Sequence, residues 1–273
     1  MKLVANYVEK PWGRHDLPAW AKPPATMDGA IGELWFTPPD GRALPLLVKY
    51  IFTSERLSIQ VHPDDVQARA RGLAGGKTEC WYIIAAEPGA TLGVGLEADL
   101  DARQLTEAAL DGSIVEKMVW HPVVPGDFFF IPAGTIHAIG AGVTLVEIQQ
   151  NVDVTYRLYD YGRPRELHLD DGTAVSRAGP YDPVQAVRAA DGGPLDRMMA
   201  DCPIFHVFRS ADAGAIRDRL GHGPIWIVPI SGAIGANAET AGVGECLYLE
   251  GDGIAALTLS EDAVVLAAGQ GMC

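Results

Sequence analysis

Gly126-Asp127-Phe128-Phe129-Phe130-Ile131-Pro132-Ala133-Gly134-Thr135-Ile136-His137 is the stretch that decides how this chain reads. A glycine turn leads into the apolar run Phe128 to Ile131. That run, bounded by turn residues on both sides, predicts a β-strand. The same pattern extends in both directions. Short apolar runs at Pro45 to Phe52, Arg56 to Val61, Cys80 to Ala85 and Thr144 to Ile148 are separated by turn residues, drawn from 31 glycines and 19 prolines in 273 residues. Helical signal is confined to Asp64 to Gly72, Asp99 to Asp111 and Asp182 to Ala190. Many short strands with Gly/Pro turns predict a mainly β fold of the sandwich or jelly-roll kind, whose barrel mouth can hold a ligand.

Further along, Asp171 to Ala200 is rich in Gly, Pro, Ala and Arg and reads as a connector. Beyond it Ile204 to Phe208, Pro224 to Ile230, Glu245 to Leu249 and Ala263 to Ala267 predict a second, smaller set of strands. The expected organisation is a first unit over 1–172, a connector with a short helix over 173–200 and a smaller β unit over 201–273. The second unit is expected to shield an edge of the first.

Lys and Arg number 21 and Asp and Glu 35, a net charge of -14. That field opposes nucleic acid and anionic lipid, while a few cations converging in a cleft still permit a small anionic substrate. Cys80, Cys202, Cys246 and Cys273 are scattered, without CxxC spacing, so a reducing cytoplasm is expected. No signal peptide or membrane span is expected from the apolar runs. No GxxxxGK[ST] phosphate loop is present.

Three segments carry polar residues in strand alternation. In Leu57-Ser58-Ile59-Gln60-Val61-His62-Pro63, residues Ser58, Gln60 and His62 share one face. Taken alone this is a half-exposed strand. In Gly76-Lys77-Thr78-Glu79-Cys80-Trp81-Tyr82, Lys77 and Glu79 share a face, and taken alone they form an exposed ion pair contributing about 0–1 kcal/mol. Downstream, Glu147 and Gln149 share a face, followed by Thr155, Arg157 and Tyr159; the structural alternative for Arg157 is a pairing with Asp153 or Asp160. His15, His121, His168, His206 and His222 lack matching partners and are set aside.

The spacing from Gly126 to His137 resembles the second sequence motif of the cupin superfamily. The ordered set Lys10-Pro11-Trp12-Gly13, LSIQVHP, GKTE-WYII, IPAGTIHAIG and EIQQNVDVTYRLYDYGR resembles the class I mannose-6-phosphate isomerases in their short bacterial form, over roughly the first 170 residues. The resemblance implies a cupin-type jelly-roll barrel and a zinc-dependent interconversion of mannose 6-phosphate and fructose 6-phosphate. It implies that Gln60, His62, Glu79 and His137 bind one Zn2+ per chain. Such a set of two imidazoles, a carboxylate and an amide suits a catalytic metal and departs from the usual cupin pattern, with Gln-x-His in place of His-x-His. Cys80 is expected to point away from Glu79.

By the same resemblance Arg157 is catalytic. Its guanidinium keeps its proton, so it serves as a fixed charge and not as a base. Lys77 places charge, Lys49 and Ser58 contact substrate, and Glu147 is nominated as the acid/base. The alternative for Glu147 is a partner that orients His137 or Arg157. Lys49 reads equally as a snorkelling strand residue, and Trp12 as a cover for the barrel mouth or a core aromatic. Val152, where relatives typically have Ser, and a shortened carboxyl half depart from the family pattern. The competing functions are a non-catalytic cupin that binds a sugar phosphate or metal, and an isomerase of another phosphorylated aldose. A cytoplasmic monomer or homodimer, with no nucleic-acid or membrane partner, completes the expectation.

Overall fold

The computed structural model describes residues 1–271. Its first part is two antiparallel sheets packed face to face. The larger has seven strands in the order Val4–Arg14, Ile31–Thr37, Leu46–Phe52, Val143–Gln150, Glu79–Ala86, Phe128–Ile131 and Ala186–Val187. The smaller has five, in the order Tyr156–Tyr159, Ile59–Val61, His137–Ile139, Thr91–Leu96 and Met118–Pro122. Strands distant in sequence lie side by side, as in a cupin-type jelly roll. Between the sheets Ile51, Trp81, Ile83, Leu92, Phe129 and Leu145 form the inner core.

Leu46–Phe52 shows why the larger sheet is nearly continuous in apolar residues. All seven of its residues are buried. Ile51 faces the inner core, whereas Leu46, Val48, Tyr50 and Phe52 face a second core shared with Phe205, Trp226, Val228 and Tyr248. A strand buried on both faces reads as a nearly continuous apolar run, interrupted here by Lys49. The carboxyl-terminal sheets are Arg197–Asp201, Phe205–Ser210, Val264–Gln270, Ile225–Ser231 and Leu247–Leu249, then Glu239–Gly242, Ala233–Ala236 and Thr258–Leu259. They cover the outer face of the large sheet, not merely an edge as the sequence reading expected. Their own core includes Phe208, Ile216, Ile225, Leu247 and Val265.

The expected helices over 64–72 and 99–111 form as Asp65–Ala70 and Ala102–Asp111. Each starts with a capping box, in which Asp64 and Asp101 accept from the backbone N–H of Gln67 and Gln104, whose side chains return the bond. The helix expected over 182–190 is corrected. That segment is a short 3-10 turn, Pro183–Gln185, then the strand Ala186–Val187 paired to Phe129 and Phe128. The exposed edge of Phe128–Ile131 supplies backbone partners that a helix would leave unused. Asp127 fixes the segment by accepting from the Ala189 N–H (2.8 Å) and pairing with Arg188 (3.0 Å). Conversely Ala213–Leu220, not expected from the sequence, is a helix because Asp212 caps it and Ile216 and Leu220 reach the core.

Candidate metal centre and substrate cavity

Both faces of the site come from strand register. On the small sheet Arg157 pairs with Gln60, and Gln60 pairs with His137, so the three stand in one row across adjacent strands. On the large sheet Trp35, Lys49, Glu147 and Trp81 make a second row. Glu79 precedes Trp81 by two residues and therefore points the same way.

His137 is delivered by its turn. Gly134 has φ +89°, a conformation natural to glycine. An added Cβ would lie 3.1 Å from Arg177. The Gly134 N–H donates to the His62 carbonyl at 2.8 Å, tying the turn to the strand that carries the other imidazole. On the other side Gly76 lets Lys77 and Glu79 approach, since a Cβ there would lie 2.5 Å from the Asp64 backbone.

The ligand-capable atoms of His62, Glu79 and His137 lie within 4.8 Å of one another, and all three residues are buried. His62 Nε2 is 3.5 Å from Glu79 Oε2, and His137 Nε2 is 3.4 Å from Oε1. The His137 Nδ1 sits 2.8 Å from the Thr135 carbonyl. That contact assigns its proton to Nδ1 and leaves the Nε2 lone pair facing the cluster. Burial, reinforced by the Lys77 charge, holds His62 well below the ordinary imidazole range. Burial also brings His137 down to about 4, so both rings are neutral near pH 7.

Glu79 is pushed the other way, up to about 7, by burial and by the Glu147 charge, with Lys77 opposing. Lys77 Nζ lies 3.0 Å from Oε2, yet neither Glu79 oxygen accepts a well-directed hydrogen bond among the described residues. Two neutral imidazoles and a buried, under-bonded carboxylate are a donor set that fits a divalent cation preferring nitrogen and oxygen. Gln60 lies beside them, but it turns Nε2 toward His137 (3.3 Å) while its Oε1 accepts from Ser58 Oγ (3.2 Å). Ligation through the amide oxygen requires the reversed amide.

Next to the cluster, separated from it by Gln60 and Lys77, opens a cavity of about 340 Å³ lined by the cations Lys10, Lys49, Lys77, Arg157 and Arg165. A strongly acidic protein thus concentrates positive charge at one place. Most of these cations are committed. Lys49 pairs with Glu147 at 2.9 Å, Lys10 with Glu33 at 3.3 Å, and Arg165 with both oxygens of Asp160. Arg157 is the exception. Its Nη1 donates to the Glu166 carbonyl at 2.6 Å, its buried Nε has no partner, and among the described residues no carboxylate comes within ion-pair distance. The pairing with Asp153 or Asp160 considered from sequence is therefore not formed; Asp160 is taken by Arg163 and Arg165.

Glu147 is buried against the Lys49 ammonium and accepts from Trp81 Nε1 at 2.9 Å. Burial opposes its charge, but Lys49 and Lys77 outweigh burial and bring its pKa down to about 2. Lys77 is shifted up: burial opposes its charge, while Glu79 and Glu147 outweigh burial. Cys80 points to the outer core, away from Glu79. Trp12 is both a core residue and a wall of the cavity.

The sequence reading missed Lys10, Glu33, Trp35 and Arg165. Lys10 and Trp12 alternate, as do Glu33 and Trp35, a strand-face signal open to reading. His168, set aside earlier, braces the Arg157 backbone, with its Nδ1 3.2 Å from the Arg157 nitrogen.

No protein-family model matches the chain. It is 37% identical over 183 residues to a mannose-6-phosphate isomerase of Streptococcus mutans, covering 63% of this chain and 56% of that one. It is 43% identical over 158 residues to mannose-6-phosphate isomerase ManA of Bacillus subtilis, covering 53% and 50%. Over these stretches the chain is similar to the mannose-6-phosphate isomerases. It spans about half the length of the curated relatives it matches. Among solved structures, the mannose 6-phosphate isomerase of Bacillus subtilis superposes with a TM-score of 0.75 at 24% identity, covering 98% of both chains. A putative mannosephosphate isomerase of Archaeoglobus fulgidus gives 0.72 at 17%, covering 99% of this chain and 97% of that one. These likenesses show that the described chain shares the fold of those two proteins.

Proposed function

We propose that this protein is a zinc-dependent aldose–ketose isomerase that interconverts mannose 6-phosphate and fructose 6-phosphate. The observation that carries the reading is the buried His62–Glu79–His137 cluster, which meets a cation-lined cavity through Gln60 and Lys77. In this reading His62, Glu79 and His137 hold one Zn2+, with Gln60 contributing through a reversed amide. Bound there, the ion supplies Lewis acidity toward sugar oxygens.

The reaction moves a carbon-bound proton from C2 to C1 and a hydroxyl proton from O2 to O1, through an enediol or enediolate. Arg157, with no carboxylate within ion-pair distance among the described residues, offers its fixed charge to the phosphate or to the anionic intermediate. Lys77 stays protonated and adds a second positive charge. Lys49 and Ser58 contact the substrate. Glu147 is our nominee for proton transfer. In the free protein Lys49 suppresses its basicity; an anionic substrate that draws the Lys49 ammonium away raises it toward the range a general base needs.

We further propose that 1–172 forms the catalytic barrel, 173–200 the connector and 201–273 a covering β unit. The reading also includes a cytoplasmic monomer or homodimer with no nucleic-acid or membrane partner. The net charge of -14 weighs against nucleic-acid and anionic-lipid partners; among the described residues no helix is long and apolar enough to cross a membrane.

A coupled assay with mannose 6-phosphate, run alongside other aldose phosphates, tests the activity. Turnover that is lost to a chelator and restored by Zn2+ supports it. Tight sugar-phosphate binding without turnover favours the non-catalytic cupin, and faster turnover of another aldose phosphate corrects the substrate.

A further inference from the structure

Trp81 occupies a position that its role in the core does not explain. It is fully buried, and its ring meets the His137 imidazole edge-on, with centroids 5.3 Å apart and planes at 75°. Its Nε1–H donates to Glu147 Oε2 at 2.9 Å, and Glu147 Oε1 is in turn 2.9 Å from Lys49 Nζ. Lys49 is braced from behind by the Trp35 ring at 5.0 Å. Because Trp35, Lys49, Glu147 and Trp81 are directly opposed across neighbouring strands, the row is set by backbone register.

His137 has two torsional freedoms, about Cα–Cβ and about Cβ–Cγ. The Thr135 carbonyl fixes Nδ1 from one side. Apart from that bond the imidazole has the Gln60 amide 3.3 Å from its Nε2, and a rigid aromatic surface packed edge-on against the ring restricts its remaining rotation. The Trp81 indole supplies that surface, and its own rotation is stopped by the bond to Glu147. We propose that Trp81, pinned through its N–H to the Lys49–Glu147 pair, is a positioning residue that holds the His137 imidazole in orientation to bind a divalent cation. The inference rests on the metal-centre reading above. It makes the chain from Lys49 to His137 one mechanical unit joining the cavity wall to the metal centre. A partner that orients a ligating His changes metal affinity by about 10- to 100-fold.

The test is metal affinity, measured by competition between the protein and a chromophoric zinc chelator, on two variants. Trp81→Phe removes the N–H and part of the surface. Replacing Trp81 with 3-benzothienylalanine keeps shape and volume and removes only the N–H, so it separates orientation from packing even if Trp81→Phe fails to fold. The expected result is zinc binding weakened about tenfold or more in the benzothienyl protein, with unchanged circular dichroism, and a matching change in the visible spectrum of the Co2+ form. Zinc affinity within about twofold of wild type in that protein would overturn the positioning role while leaving the metal centre intact. Failure of the wild-type protein to bind zinc would instead remove the metal-centre reading and this inference with it.

Discussion

Replacing Lys49 with methionine keeps the volume of the side chain and removes one charge from the interior. Glu147 is then left buried, with Trp81 as its remaining hydrogen-bond donor, Lys77 as the remaining nearby cation and Glu79 as a like-charged neighbour. In the native protein the Glu147 pKa is about 2 against an ordinary 4.5. Lys49 lowers it most, with Lys77 second, and breaking a buried pair from one side costs roughly 3–5 kcal/mol, of which about 3 kcal/mol is expected here because Lys77 remains. Because the folded value is the lower one, the stabilisation is fully present above about pH 4.5. It is lost as the pH falls toward 2. Lys49→Met should therefore lower thermal unfolding by about 6–12 °C at pH 7, using about 2–4 °C per kcal/mol for a chain of this size. The deficit should narrow near pH 4, where Glu147 takes up a proton in the variant. Adding Glu147→Gln should recover most of the loss, because a neutral amide needs no counter-charge and still accepts from Trp81. Unfolding is followed by circular dichroism with chelator present, so that metal occupancy is constant. A Lys49→Met protein within about 1 kcal/mol of wild type at pH 7, or no recovery in the double variant, would refute the claim that the pair is a buried, mutually dependent unit.

Other consequences are sharper in activity than in stability. Arg157→Ala should keep its fold and zinc content, read by circular dichroism and metal analysis, while turnover falls by about 100-fold or more, the scale of losing one preorganised charge-stabilising donor. Gly134→Ala should destabilise by about 1 kcal/mol or more, because alanine resists φ +89° and meets Arg177, and zinc affinity should fall with it as His137 is displaced. Removing the metal with a chelator should abolish turnover, and Zn2+ should restore it.

The local parts of the site were legible because they follow strand periodicity. Ser58, Gln60 and His62 alternate on one strand, Lys77 and Glu79 on another, and the Pro-x-Gly turn announces His137. What joins them was not legible. That Gln60 faces His137 across 77 residues, or that Lys49 meets Glu147, depends on strand pairing that no local pattern encodes. Leu46–Phe52 read correctly as a strand, but its burial on both faces depends on the carboxyl-terminal sheet behind it. The Asp182–Ala190 error has the same origin: a free sheet edge elsewhere outcompeted a local helical preference. Lys10, Glu33 and Trp35 were passed over because charged and aromatic residues alternating on a strand are common at ordinary surfaces.

The most direct measurement is an anomalous difference map, at the zinc absorption edge, from crystals of the protein supplied with Zn2+. One strong peak in contact with His62, Glu79 and His137 is the expected result. A map with no peak among those three side chains at saturating zinc would contradict the account at its root.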